Sequence, residues 1–299
     1  YFLMRYSDVF DLAIALDGLN VLAILPFKLL NRFKKTVYYS IDYTNQRFTN
    51  KLLNRIYLIV DRIACYSVDC IWVLSLRMTE ARKADGLVLS KSAPTFELPM
   101  GANLERIKVL PINQIKRQQL IFVGHLLEKQ GLQLAIEALP IVIKQVPNVR
   151  LIVIGQGEFE SMLKHLTAKH HLQRYIDFKG FIDTHETVEK YLCSSAIGIA
   201  TYLPEDNNYT YNTDPGKPKL YLGCGLPVII TDVPASAKMI DQHKAGIIVP
   251  YDINLTATAI IKLLTNDQEY RLYRHNALSL SKNYNTNTLI TKVLNQSYE

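Results

Sequence analysis

Short apolar runs alternate along this chain with longer segments of helical period. In the first half Leu12–Leu16, Thr36–Ser40, Ile71–Leu74 and Thr95–Leu98 read as strands. Between them lie helical stretches, the clearest being Asn50–Ser67, where Leu53, Ile56, Tyr57, Val60, Ile63 and Ala64 fall on one face. The segment Ala102–Gln118 is polar, contains Pro111 and has little period, so a domain boundary is expected there. The rhythm then restarts with strands at Leu120–Val123, Leu151–Ile154, Ile176–Phe178, Ile197–Ala200, Val228–Thr231 and Gly246–Val249. After the first of these, Leu132, Ala135, Ile136, Leu139, Val142, Ile143 and Val146 mark one apolar helix stripe. Roughly the last 45 residues read only as helices.

Strands alternating with helices predict parallel sheets with helical crossovers. A length of 299 residues fits two such domains, at about 150 residues each. The expectation is an α/β protein of two doubly wound, Rossmann-like domains, residues 1–115 and 116–299. Domains of this kind bind ligands at the carboxyl ends of their strands, which directs attention to the facing edges and the cleft between them.

Composition narrows the picture. The apolar share of 48% and charged share of 20% are those of a soluble globular protein. No stretch approaches the roughly 18 unbroken apolar residues of a membrane span, since the best candidate, Leu19–Leu30, holds Asn20, Pro26 and Lys28. Cys65, Cys70, Cys193 and Cys224 are scattered and read as free thiols in a reducing cytoplasm. The net charge of +7 sits mostly in the first half, where residues 1–116 hold 16 Lys and Arg against 10 Asp and Glu. The basic residues form no nucleic-acid signature with the aromatics, so nucleic acid is not an expected partner. Phe27–Lys35 mixes basic and apolar residues at helical spacing. It reads either as an interfacial membrane helix or as a sheet-packed helix with a solvated basic face.

Four segments carry candidate chemistry. Ile121–Leu126 is a buried strand ending in Gly124 before a helix at Gly131; it is either a tight turn or a place where a ligand meets the backbone. In Asp214-Pro215-Gly216-Lys217, Asp214 is expected as N-cap and Pro215 as the first helical residue. Gly216 is a poor helix former there, and Lys217 opposes the helix dipole. That placement fits a solvated surface lysine or a cation facing a bound anion. Gly155-Gln156-Gly157-Glu158 lacks the third glycine of a dinucleotide fingerprint and reads as a structural turn. Tyr202–Asn212 is a polar, aromatic loop, functional or flexible.

Taken in order, FVGHLLEKQGLQLAIEALP, VRLIVIGQGEFESMLKHL, IDFKGFI, SSAIGIATYLPE, DPGKPKLYLGCGLPVIITDVP and KAGIIV resemble the donor domain of a family 4 type glycosyltransferase with the two-Rossmann GT-B architecture. SIDYTNQRF and SVDCIWVLS fit its first domain. The opening strand and Gly-rich loop of such enzymes are missing, the expectation for an N-terminally truncated chain. The resemblance implies sugar transfer from a nucleotide diphosphate-sugar, with retention, no metal and no cofactor. Gly124 would let its loop approach the diphosphate, Lys217 and Gly216 would stabilise it, and Phe181 would lie near the base. His125 and Gln130 stand where the family has Arg and Lys, with Lys129 as a partial substitute. Asn212 and Leu220 stand in place of the two Glu of the Glu-x7-Glu motif, which leaves Asp206, Asp214 or Glu205 to serve the ribose. Tyr221 completes the expected donor set. The usual first-domain His falls on Ile41, so Asp42 is the candidate catalytic or acceptor-positioning group beside Lys217, with Tyr43 and Arg47 holding the acceptor. A glycan or lipid-linked acceptor, a cytoplasmic site and peripheral contact with the inner membrane face complete this reading. Its rivals are a degenerate binding module of the same fold and a sugar-nucleotide epimerase.

Overall fold

The computed structural model describes residues 8–204 and 209–298. The chain forms two compact units. The first comprises residues 1–99, 211–214 and 289–299, the second residues 100–210 and 215–288. The division thus falls at Pro99/Met100, ahead of the expected boundary, and the last helix, Thr286–Tyr298, starts in the second unit and ends in the first.

The first unit holds a parallel sheet in the order β1 (Phe10–Ala15), β2 (Phe33–Ser40), β3 (Cys70–Val73) and β4 (Thr95–Glu97). Its crossover helices begin at polar caps. Asp17 accepts from Asn20 N ahead of helix Gly18–Leu29, and Asn50 accepts from Leu52 N and Leu53 N ahead of Lys51–Ser67. Ser75 accepts from Arg77 N ahead of Leu76–Ala84. These bonds satisfy amides that an open helix end leaves orphaned. Phe27–Lys35 is not one helix. Asn31 takes the left-handed conformation (φ 55°), which Asn tolerates better than most residues, and Arg32 N closes the turn on Phe27 O at 2.9 Å. The basic residues Lys34 and Lys35 then lie on β2, Lys34 paired with Asp11 on the neighbouring strand at 2.6 Å.

The second unit holds six parallel strands in the order β10-β9-β8-β5-β6-β7. These are β5 (Gln119–Val123), β6 (Arg150–Ile154), β7 (Ile176–Gly180), β8 (Ile197–Ala200), β9 (Val228–Thr231) and β10 (Gly246–Val249). The chain leaves β5 toward β6 and β7, then returns to its other side for β8, β9 and β10. That reversal makes the carboxyl ends of β5 and β8 the topological switch point, where open α/β sheets bind ligands. The apolar stripe expected after β5 is buried, with Ala135, Ile136, Leu139 and Val142 of helix Leu132–Gln145 in the core. Arg274 anchors the connector by donating to Leu110 O and Gly225 O, both at 2.7 Å.

Candidate active site

At the switch point the two central strands are held apart by a side chain. Tyr221, on helix Gly216–Gly223, is fully buried. Its hydroxyl accepts from Val123 N at 2.9 Å and donates to Ile199 O at 3.3 Å. The β5–β8 ladder accordingly runs only from Leu120↔Ile197 to Ile121↔Gly198. Gly198 makes room for the wedge, since a Cβ there would lie 2.3 Å from the Tyr221 ring. This corrects the place of Tyr221: its hydroxyl is used between the strands and it has no surface to offer a donor. It shapes the crevice instead.

Two loops line that crevice. Gly124 follows β5 with φ 146°, a conformation strained for any L side chain, and a Cβ there would stand in ordinary contact with the Phe122 ring at 3.9 Å. Gly131 starts the next helix in the left-handed region (φ 71°) and is pressed against the loop after β8, a Cβ there lying 1.6 Å from Thr201 O. Thr201 Oγ1 donates to Gly131 O at 2.8 Å, and Leu203 N donates to Lys129 O at 3.1 Å. The loop carrying His125 and Lys129 is therefore fixed to the strand beside it.

Lys217 enters this crevice from the first turn of helix Gly216–Gly223. The helix starts one residue later than expected, with Pro215 in the cap position and Asp214 before it, buried and grouped with the first unit. The Lys217 Cδ lies 4.0 Å from where a Cβ on Gly124 would stand. Its Nζ sits 4.1 Å from the ring centre of Phe122 and 4.5 Å from that of Tyr202, and donates to Gln130 Oε1 at 2.9 Å. Burial pushes this ammonium down to about 7. Lys219, two residues on, is wholly buried and donates to Pro215 O and Ser236 Oγ, each at 3.1 Å. Of the two lysines, Lys219 therefore holds the helix start in place and Lys217 faces the crevice. A Cβ on Gly216 would meet Met100 in ordinary contact only, so the protein itself does not demand glycine there.

Beside the Gly124 turn lies a hollow of about 200 Å³ lined by Gly124, His125, Gly155, Gln156, Phe181 and Val188, among others. His125 and Phe181 are exposed on its rim. Lys129 is half-buried, and burial lowers its ammonium against the opposing pull of Glu158. Asp206 and Glu205 lie outside the described residues. Gln130 was expected only as a lost cation, and Phe122 and Tyr202 only as members of candidate segments; together the three surround the Lys217 ammonium.

In the first unit the turn after β2 presents Asp42, which pairs with Arg47 at 2.9 Å. Asn54 fixes that turn by accepting from Arg47 N at 2.8 Å and donating to Asn45 O at 2.7 Å. The Arg47 guanidinium also lies 5.5 Å from the Tyr57 ring centre. Tyr43 is corrected from the expected acceptor set. It is buried, donates to Asp85 Oδ2 at 2.8 Å, and carries Arg82 over its ring at 4.6 Å. Burial, followed by Asp85, raises its hydroxyl far above the ordinary tyrosine value.

Two parallel-sheet units, the second with a crevice at its switch point, match the GT-B fold. HepE of Anabaena, solved in complex with UDP, shares this fold with a TM-score of 0.78 at 15% identity, covering 96% of this chain and 78% of HepE. Over residues 117–266 the chain matches the model of the glycosyl transferases group 1 family, and it belongs to that family of enzymes. It is 23% identical over 261 residues to a 41.2 kDa protein of the cps region of Klebsiella pneumoniae, covering 83% of this chain and 67% of that protein. It is 26% identical over 155 residues to the putative colanic acid biosynthesis glycosyltransferase WcaL of Escherichia coli, covering 50% of this chain but only 37% of WcaL.

Proposed function

We propose that this enzyme transfers a sugar from a nucleoside diphosphate-sugar to a glycan or lipid-linked acceptor, with retention and without a metal. The observation that carries the reading is the Lys217 ammonium, whose side chain runs beside the positive-φ turn at Gly124 with a neutral amide oxygen as its hydrogen-bond partner. A diphosphate is the group such an arrangement suits. A helix start and a half-buried cation stabilise negative charge as it develops on the leaving group. This supplies in protein form the charge that a divalent cation supplies elsewhere. Phe181 and His125, on the rim of the adjoining hollow, are the groups assigned to the nucleoside in this reading, with Lys129 as a further cation on the loop of His125. Asp214 and Asp206 remain candidates for the ribose. Asp42, braced by Arg47, is the candidate acceptor-side group.

Peripheral membrane contact and a cytoplasmic site belong to the same reading. Exposed Leu29 and Leu30, followed by Arg32 and Lys34, support it. Among the described residues no helix is long and apolar enough to cross a membrane.

The test is release of nucleoside diphosphate in step with acceptor glycosylation, measured in EDTA, with the anomer of the product read by NMR. The proposal expects EDTA-resistant release, retained configuration and a loss on the order of 100-fold in Lys217→Ala. Full activity in that variant, or activity that vanishes in EDTA and returns with magnesium, contradicts it.

A further inference from the structure

The first unit contains a hollow of about 290 Å³ between the starts of helices Gly18–Leu29 and Lys51–Ser67. Its walls are apolar and uncovered. Leu19 is 69% exposed, Leu53 51% and Ile56 48%, and these three converge on one hollow with Phe48 and Val60. Single exposed apolar residues are ordinary on a protein surface, whereas several that line one concavity mark a binding site.

The polar groups at the hollow select among occupants. Its floor is formed by Tyr38 and Asp61, and both are committed. Tyr38 donates to Asp61 Oδ1 at 2.7 Å, and buried Arg82 donates to both Asp61 oxygens at 2.8 Å. Arg82 also donates to Ser40 Oγ at 2.6 Å, and that hydroxyl donates to Asp42 O at 3.1 Å. The floor charge is thus neutralised and the Asp42 turn is held from below. At the rim stand two carboxylates, Asp17 and Asp42, against one cation, Arg47. An anionic head group is disfavoured by that balance. A sugar ring seated among Leu19, Leu53, Ile56 and Val60 would find no partners for its hydroxyls, at about 1–3 kcal/mol for each one left unpaired. The size is near the low end of ligand pockets, roughly 300 Å³, which suits one apolar segment. Among the described residues Asp42 Oδ2 is engaged by Arg47, and Oδ1 has no hydrogen bond.

We infer that this hollow receives the uncharged apolar part of the acceptor, an alkyl or aryl aglycone, with the acceptor hydroxyl directed toward Asp42. Naming the occupant as acceptor rests on the glycosyltransferase reading above; the apolar specificity does not.

The experiment uses the full chain with methyl-labelled Ile, Leu and Val. It is titrated with n-octyl β-glucoside below its micelle concentration and, separately, with methyl β-glucoside. The expected result is saturable shifts at Leu19, Leu53, Ile56 and Val60, with octyl glucoside binding at least about tenfold tighter than methyl glucoside. Ile56→Asp, a substitution at a half-exposed site, is expected to abolish those shifts without lowering the melting temperature, whereas Leu29→Asp leaves them intact. Equal binding of the two glucosides, shifts spread over Leu29 and Leu30, or shifts that survive Ile56→Asp would overturn the inference. Nucleoside diphosphate binding, followed in the same samples by thermal shift, separates the two claims. Diphosphate binding without octyl glucoside binding sinks this inference alone. Octyl glucoside binding without diphosphate binding sustains the apolar site and sinks the donor reading.

Discussion

Lys217 is held where charge is costly, between the faces of Phe122 and Tyr202, and its ammonium is lowered by burial to about 7. Above that pH the free enzyme carries it mostly neutral, and a bound diphosphate, which favours the charged form, must draw in a proton. Donor affinity is therefore expected to be flat below pH 7 and to fall above it, by up to about tenfold per pH unit. Calorimetric titration at pH 8.5 in two buffers of different ionisation enthalpy should read close to one proton taken up, and close to none at pH 6. Affinity that does not change between pH 6 and pH 9 contradicts this. The stability consequence has the opposite sign. The folded value lies below the unfolded one near 10.5, so the unfolded chain binds more protons between pH 7 and 10.5 and this contribution to stability rises through that window. Lys217→Met should then melt a few degrees higher at pH 6 while losing diphosphate binding. Gly124 and Lys217 stand out in the sequence as candidates because a glycine closing a buried strand and a lysine in a first helical turn are each unusual locally. The convergence of Gln130, Phe122 and Tyr202 on the ammonium was not readable, because it comes only from what the fold places side by side. Tyr43 and Tyr221 misled for a related reason. A sequence does not show whether a tyrosine hydroxyl is already spent inside the protein.

At the scale of elements, the crevice is opened by the Tyr221 hydroxyl standing between Val123 N and Ile199 O. Tyr221→Phe keeps the ring but takes away the partner of the part-buried Val123 N–H and of the buried Ile199 carbonyl. It is expected to cost about 1–3 kcal/mol in chemical denaturation and to weaken diphosphate binding with Lys217 unchanged. A variant as stable as the wild type would show that water fills the gap and that the wedge is dispensable. The strands of the second unit were the most legible feature, because buried parallel strands are short apolar runs bounded by polar turns. The start of β2 was hidden for the converse reason. Phe33, Lys34 and Lys35 precede its buried part, and their charges find Asp11 and the ring of Tyr298, partners remote in sequence. The stop at Asn31 was the missed signal, since its left-handed conformation ends the helix before the basic run.

For the whole molecule, the two-sheet plan was readable and the interleaving of the chain was not. Helix Thr286–Tyr298 finishes in the first unit, where Val293 joins Val37, Cys70, Trp72 and Leu98 in a small core. Ser297 there accepts from the indole N–H of Trp72 at 2.9 Å. No local pattern announces a contact across more than two hundred residues. Trp72 is the one tryptophan of the sequence and is buried, so it reports on this closure. Removing residues 286–299 should shift its emission to the red and lower the first melting transition, whereas an unshifted spectrum would place the helix outside the first core. The central claim is that a nucleoside diphosphate binds at Lys217 without a metal. The most direct measurement is equilibrium binding of a panel of nucleoside diphosphates in EDTA to the wild type and to Lys217→Ala. At about 100 times its dissociation constant a bound nucleotide should stabilise the protein by roughly 2.7 kcal/mol. The account predicts that at least one nucleotide binds the wild type and that the folded variant loses it. Failure of every nucleotide to bind a cooperatively folded wild type, or undiminished binding to the variant, would contradict it.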